Sequence, residues 1–201
     1  LGVGSSERLL VVLGGSQGAA SLNQWAKQHL EAFAADGISV YCLTGMGNES
    51  SGVVEMTADD GSTVPMRFVP FSDEMSNVLS AADMVISRAG AGTISEIVRC
   101  RVPSILVPYP FAADDHQALN ASFIEQKGAA IVCPQNEIGK LLFKEARDVM
   151  FNEEFRAVLR RNLVAIDPGD VVSDIVFDVT NVLQESCNPG DVVAGALPFA
   201  G

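Results

Sequence analysis

Two turns in this 201-residue chain have the composition of an anion site. The first, Gly14-Gly15-Ser16-Gln17-Gly18-Ala19, closes an apolar run and opens a helix-like segment. Its glycines let the backbone approach a ligand, while the free N–H groups and the helix dipole suit a phosphate. The pattern is neither GxGxxG nor a Walker loop, so a tight turn needing positive φ explains it equally well. The second, Ser87-Arg88-Ala89-Gly90-Ala91-Gly92-Thr93-Ile94-Ser95-Glu96, also runs from strand to helix. Gly90 and Gly92 strip side chains from the turn, and Thr93 adds a hydroxyl beside the amides of the helix start. Glu96 lies one turn further on, where a carboxylate accepts hydrogen bonds from vicinal hydroxyls such as those of a ribose. The same T-x-x-E spacing fits a capping box with Thr93, or a charge that complements the helix dipole. Two such turns in one sheet shift the balance toward a bound diphosphate.

A third loop, from Pro108 to Gln117, has its path fixed by prolines and ends in His116 and Gln117, with Asn120 following. These three could bond sugar hydroxyls; the alternatives are a helix-start histidine without a ligand and a helix-surface asparagine. Asp114 and Asp115 have no further ligand candidates nearby, which favours an exposed helix start over a metal. His29 falls on a helical surface with nothing around it to recommend it. No catalytic constellation emerges: there is no nucleophile elbow and no second histidine near these loops.

The elements that must position these loops alternate. Strand-like runs occupy Leu9 to Leu13, Ile38 to Leu43, Val64 to Phe71, Met84 to Ser87, Ser104 to Val107 and Ala129 to Cys133. Helical patterns run from Ala19 to about Ala35, Ser72 to Ala82, Thr93 to Arg101, Gln117 to Lys127, Glu137 to Phe151, Glu153 to Leu163 and Val171 to Glu185. The Gly- and Ser-rich stretch from Gly45 to Gly61 is expected to hold a short helix. Alternation of this kind predicts a parallel sheet covered on both faces, a Rossmann-like doubly wound α/β domain. In such sheets ligands bind beyond the carboxyl ends of the strands, where all three loops lie.

Thirteen Lys and Arg against 25 Asp and Glu give a formal charge of −12, which argues against a nucleic-acid surface or adhesion to anionic lipid. A phosphate held by backbone amides is compatible with that charge. Cys42, Cys100, Cys133 and Cys187 are far apart without zinc spacing, as expected of reduced, mostly buried thiols. No apolar run reaches the ~20 residues of a membrane span. Leu1 is not an initiator methionine, and a fragment of a longer protein is expected.

The chain resembles the bacterial transferases of the MurG type, which join N-acetylglucosamine to undecaprenyl-diphospho-muramoylpentapeptide. The resemblance rests on GGSQGA followed by Ser21-Leu22-Asn23, on SRAGAGTISE at 87 to 96, on VPSILVPYP at 102 to 110 and on DDHQALNA at 114 to 121; it covers about residues 9 to 165. It implies the C-terminal, donor-binding half of a GT-B enzyme. By this reading residues 1–8 are a linker remnant, 9–168 the donor domain, 169–186 a helix that returns to a missing N-terminal domain, and 187–201 a tail. The implied donor is UDP-GlcNAc. Its contacts would be Ser16, Gln17 and Gly18 near the diphosphate, the Ser72 backbone to uracil, Ala91, Gly92 and Thr93 around the α-phosphate, Glu96 to the ribose, and Gln117 with His116 to the sugar. Arg88, Gly90, Ile94, Ser95 and Asn120 complete the implied site. Some members carry a bulkier residue at Gly92 and an isoleucine at Ser72, so backbone contacts are what the resemblance implies there.

The implied reaction is inverting and needs no metal or other cofactor, with the acceptor's 4-hydroxyl displacing UDP. The undecaprenyl-linked acceptor, the general base and the membrane contact would belong to the missing half, at the inner face of the cytoplasmic membrane. This chain alone would be inactive, with no catalytic residue of its own. The alternatives are a stand-alone nucleotide-sugar subunit working with a membrane-anchored partner, as in eukaryotic dolichol-linked GlcNAc transfer, or transfer of another UDP-sugar. A dinucleotide-dependent oxidoreductase is disfavoured: no GxGxxG follows the first strand and no acidic residue ends the second. The apolar stripe Val172, Ile175, Val176, Val179, Val182 and Leu183 is expected to dimerise or be disordered without a partner.

Overall fold

The computed structural model describes residues 8–14, 19–46, 51–112, 115–167 and 169. The expected C-terminal helix, its apolar stripe, the tail and Cys187 lie outside them. By internal contacts the chain divides after Asp167 into two units, and the elements below all belong to the first.

β1 (Arg8–Leu13) runs parallel to β2 (Ile38–Leu43) on one side and to β5 (Met84–Ser87) on the other. β4 (Thr63–Val69) adds in parallel beyond β2, while β6 (Ser104–Leu106) and β7 (Ile131–Val132) add in parallel beyond β5. β3 (Gly52–Thr57) closes the outer edge antiparallel to β4, giving the order β3-β4-β2-β1-β5-β6-β7. The winding direction therefore reverses between β1 and β5, and a crevice at the carboxyl ends of these strands is the usual ligand position in such a sheet.

β1 shows why the sheet is covered on both faces. All of Leu9 to Leu13 is buried, as expected of a central parallel strand, and alternate residues enter different cores. Leu10 and Val12 join Trp25, Phe33, Leu142 and Val149, which come from α1 (Ala20–Gln28), α2 (Leu30–Ala35) and the segment containing α6 (Phe143–Phe151). Leu9, Val11 and Leu13 join Leu79, Ile97, Ile124 and Leu163. Those residues belong to α3 (Met75–Ala81), α4 (Ala91–Cys100), α5 (His116–Gln126) and α7 (Glu153–Ile166).

Three sequence expectations are corrected. The Gly45–Gly61 stretch holds β3 in place of a short helix, because the β-branched core of Gly-Val-Val-Glu-Met-Thr pairs with β4 through a turn tied by Ser62 to Asp60 Oδ1. The single helix from Ala19 to Ala35 is broken at His29. Its Nδ1 bonds the Trp25 carbonyl at 2.8 Å, the acceptor its own amide would use in a continuous helix, and that amide turns to Ala26 instead. The His29 ring also stacks on Phe143 at 4.7 Å, so it is half-buried and not a free surface group. Finally, α3 starts at Met75, since Ser72 Oγ accepts from the Glu74 amide at 3.2 Å in a turn ahead of the helix.

Gly128 follows α5 at φ +63°, and an added Cβ would stand 2.9 Å from Asn162 Nδ2, which donates to the Gly128 carbonyl. Replacement of Gly128 by alanine is expected to lower unfolding free energy by about 1–2 kcal/mol in urea titration, from the left-handed backbone and the displaced Asn162 together.

Two of the described thiols, Cys42 and Cys133, are buried, and Cys100 is partly buried. Burial pushes Cys42 up to about 12 against a slight opposing pull from Lys27, and Cys133 up to about 11. Cys42 donates to Asn23 Oδ1, whose Nδ2 donates to the Thr44 carbonyl at 2.9 Å. A raised folded value means the unfolded chain releases this proton first, so the stabilising effect is complete below about pH 9 and lost as pH rises toward 12. Urea midpoints measured across that window should fall more steeply for the parent than for Cys42→Ala.

Candidate functional site

The turn after β5 builds the site from the backbone outward. α4 starts at Ala91 with Gly90 as its N-cap, in extended conformation, and the first intrahelical bond runs from the Ile94 amide to the Gly90 carbonyl at 3.0 Å. The amides of Ala91, Gly92 and Thr93 therefore stand ahead of that bond, at the positive end of the helix. This start lies before the expected Thr93. Thr93 is consequently a third helical residue and not a cap, no side chain caps α4, and the capping-box reading of Thr93 with Glu96 is excluded.

Ten residues line a cleft of about 420 Å³ at the carboxyl ends of the central strands: Leu13, Leu43, Pro70, Phe71, Ser72, Met75, Gly90, Gly92, Thr93 and Glu96. Five of the candidates thus meet in one place, and they come from two loops far apart in sequence. Glu96 is exposed, about 4.5 Å along the helix axis from Thr93 at 1.5 Å per residue. An added Cβ at Gly90 or Gly92 would meet open space, so neither glycine is demanded by packing, and their lack of side chains leaves the cleft wider. The apolar wall of Leu13, Leu43, Phe71 and Met75 was missed from sequence; for Leu13 and Leu43 the signal is their place as last residues of their strands, which lie at the crevice of an open parallel sheet.

The other candidates take different places. Ala91 and Ser95 are exposed on α4, and the Ser95 hydroxyl donates to the Ala91 carbonyl at 2.9 Å; Ile94 packs against the core. Arg88 is almost wholly buried. Its Nη1 donates to the carbonyls of Val107 at 3.0 Å and Pro108 at 3.3 Å, and its Nη2 to Ser21 Oγ at 2.9 Å. Its Cζ stands 5.3 Å from the Tyr109 ring centroid, and burial pulls the guanidinium below its ordinary value with Tyr109 acting the other way. Gln117 Oε1 accepts from the Tyr109 amide at 3.0 Å, and Asn120 Nδ2 donates to the Ala89 carbonyl at 3.0 Å, so Asn120 is a tie between elements and not a plain surface position. His116 is exposed in the first turn of α5. Its N-cap Asp115 has φ +52° and no side-chain capping bond. Ser16, Gln17 and Gly18 lie outside the described residues; Leu13, the last residue of β1, lines the cleft. Among the described residues no cluster of three or more His, Cys, Asp or Glu could hold a metal, and no helix is long and apolar enough to cross a membrane.

The glycosyltransferase family 28 C-terminal domain matches residues 9–164, from the second residue of β1 into α7. The chain belongs to this family. Among relatives of the family 28 domain, one from Opitutus terrae is 42% identical over 196 residues, which is 96% of this chain and 52% of that protein. One from Crocosphaera subtropica is 38% identical over 174 residues, covering 85% and 48%. Both are named UDP-N-acetylglucosamine--N-acetylmuramyl-(pentapeptide) pyrophosphoryl-undecaprenol N-acetylglucosamine transferase. The chain spans about half the length of the curated relatives it matches. Acinetobacter baumannii MurG shares the fold with a TM-score of 0.67 at 24% identity, over 90% of this chain and 51% of that one. The calicheamicin glycosyltransferase CalG4 shares it with a TM-score of 0.66 at 18% identity, over 90% and 45%. The family 28 domain here therefore has the fold of one half of a GT-B glycosyltransferase.

Proposed function

We propose that this chain binds UDP-GlcNAc as the donor half of an inverting transferase that delivers GlcNAc to the 4-hydroxyl of a lipid-linked muramoyl-pentapeptide. The observation that carries the reading is the cleft itself: open amides at the start of α4, a carboxylate one turn along the same helix, and an apolar wall lining the same space. A uridine nucleotide has matching parts in matching order. Its diphosphate meets the amides of Ala91, Gly92 and Thr93, its ribose hydroxyls donate to Glu96, and its base lies against Leu13, Leu43, Phe71 and Met75 beside the Ser72 backbone. The sugar then points toward the β6–α5 connection, where His116 and Gln117 begin α5.

In this reaction the acceptor oxygen bonds to the anomeric carbon as the bond to the diphosphate breaks. UDP leaves with the electron pair, and the acceptor's proton passes to a base outside the donor cleft. The charge growing on UDP is met by the α4 amides, which are already oriented and need no reorganisation, so this half asks for no metal. The acceptor, the base and any contact with the inner face of the membrane belong to the half of the curated relatives that this chain does not match. The names of those relatives, which specify the same donor and acceptor, support the reading.

Calorimetric titration of the 201-residue chain tests it. UDP and UDP-GlcNAc should bind saturably and NAD should not; absence of UDP-GlcNAc binding at millimolar ligand, or equal binding of NAD, would overturn it.

A further inference from the structure

We propose that Arg88 is a positioning residue of the donor cleft, which ties the start of α4 to the first turn of α1 and to the residues that follow β6 without touching the donor. The inference rests on the uridine-nucleotide reading above. Arg88 itself lies between β5 and α4, two residues before the N-cap of the helix that offers its amides to the diphosphate. One arm of its guanidinium reaches Ser21 in the first turn of α1, immediately beyond the first glycine-rich turn. The other arm reaches the carbonyls of Val107 and Pro108, where β6 hands over to the loop that leads into α5. The next residue adds a fourth tie, because the Ala89 carbonyl accepts from Asn120 on α5. Gln117 closes the ring by holding the Tyr109 amide, and the Tyr109 ring lies beside the guanidinium. The turn ahead of α4 is thus joined through Arg88-Ala89 to the first turn of α1, to the residues after β6 and to α5.

The choice of residue follows from geometry. A guanidinium is a rigid planar fork with five donors, so it can serve acceptors on two separate elements at fixed directions, whereas an ammonium on a flexible stem cannot. Its described partners are carbonyls, a hydroxyl and a ring, neutral groups that orient a buried cation without cancelling its charge. Core packing alone would be met by an apolar side chain. What the fork adds is a fixed relation between the start of α4, which would hold the diphosphate, and the start of α5, which would hold the sugar. Glu96 and Ser72, at the nucleoside end, stand outside the bracket.

The bracket predicts a graded loss. Arg88→Lys should keep UMP affinity within about twofold while lowering affinity for UDP, and more so for UDP-GlcNAc, by about tenfold or more, as expected when charge-assisted hydrogen bonds are removed. Ser21→Ala, which removes one arm's acceptor and nothing in the cleft, should lower UDP-GlcNAc affinity in the same sense by a smaller factor. The double variant should bind no worse than Arg88→Lys alone, since both changes break one bracket. Calorimetry of the parent and three variants with UMP, UDP and UDP-GlcNAc reads all of this, with near-ultraviolet circular dichroism reporting the fold. Equal loss of all three ligands in folded Arg88→Lys would make the residue merely structural and overturn the proposal. Additive losses, or unchanged UDP-GlcNAc affinity in Ser21→Ala, would overturn it too. Should Arg88→Lys fail to fold, the Ser21→Ala arm alone decides. A parent chain that binds none of the three ligands refutes the donor-cleft reading and this proposal together, whereas parent binding with the wrong pattern refutes the bracket alone.

Discussion

Replacement of Glu96 by alanine weakens UDP binding by about 10- to 100-fold, the range expected when a carboxylate loses hydrogen bonds from two hydroxyls. Glu96 lines the cleft one turn inside α4, and no side-chain cap engages it at the helix start. Pyrophosphate, which would use only the amides of Ala91 to Thr93, should bind the parent and Glu96→Ala with the same affinity. A 2′-deoxy nucleotide separates the hydroxyl contact from the charge: it should bind the parent poorly, and the substitution should add little further loss. If Glu96 served only the helix dipole, all three ligands would respond alike and weakly, since that effect amounts to about 0.3–1 kcal/mol at an exposed position. Calorimetry at one ionic strength distinguishes these outcomes.

Truncation of Leu10 to alanine should cost about 3–4 kcal/mol, read as a urea midpoint shift at unchanged slope. Leu10 is wholly buried in the central strand, between β2 and β5, and faces the core built by Trp25, Phe33, Leu142 and Val149. Neighbours fixed by sheet registry on both sides cannot collapse into the space left behind. That loss is a large fraction of the roughly 5–15 kcal/mol by which domains of this size are stable. Because Leu10 lies on the face of β1 opposite Leu13, the folded fraction should bind UDP normally. At about one hundred times Kd, UDP should therefore restore about 2.7 kcal/mol in both the parent and Leu10→Ala. A shift below about 1 kcal/mol would mean that the layer beneath Leu10 is looser than its burial implies.

The sheet was legible because parallel strands buried on both faces read as unbroken apolar runs, so Leu9–Leu13, Ile38–Leu43 and Met84–Ser87 stand out from what surrounds them. β3 was not, because an edge strand lacks that signature: Val53 and Val54 are half-exposed, and the flanking glycines and serines mask a short β-branched core. The break at His29 was hidden for another reason. A side chain that captures a carbonyl one turn back leaves the 3.6-residue periodicity on either side intact. In the site, Gly90, Gly92, Thr93 and Glu96 were recognisable from residue type and spacing, and Ser72 only through the family resemblance. Arg88 and Asn120 were recognisable as part of the region but not as ties between loops, since a sequence does not show where the donors of a long side chain end.

The sequence by itself determined the alternation of strands and helices, the glycine-rich turn ahead of α4 and the carboxylate one turn beyond it, because these depend on neighbours within a few residues. Family membership also follows from sequence, through motifs in order over residues 9–164. Only the tertiary structure decided that α4 begins at Ala91, which removed Thr93 from the cap and left its amide open. Only the tertiary structure brought Phe71 and Ser72 together with Gly92 and Glu96 in one cleft, and joined Arg88 to Ser21 and Val107. These placements depend on the reversal of winding between β1 and β5, which brings together strand ends separated by up to about 90 residues. Pairing across that distance is a property of the packed sheet, and no local pattern contains it.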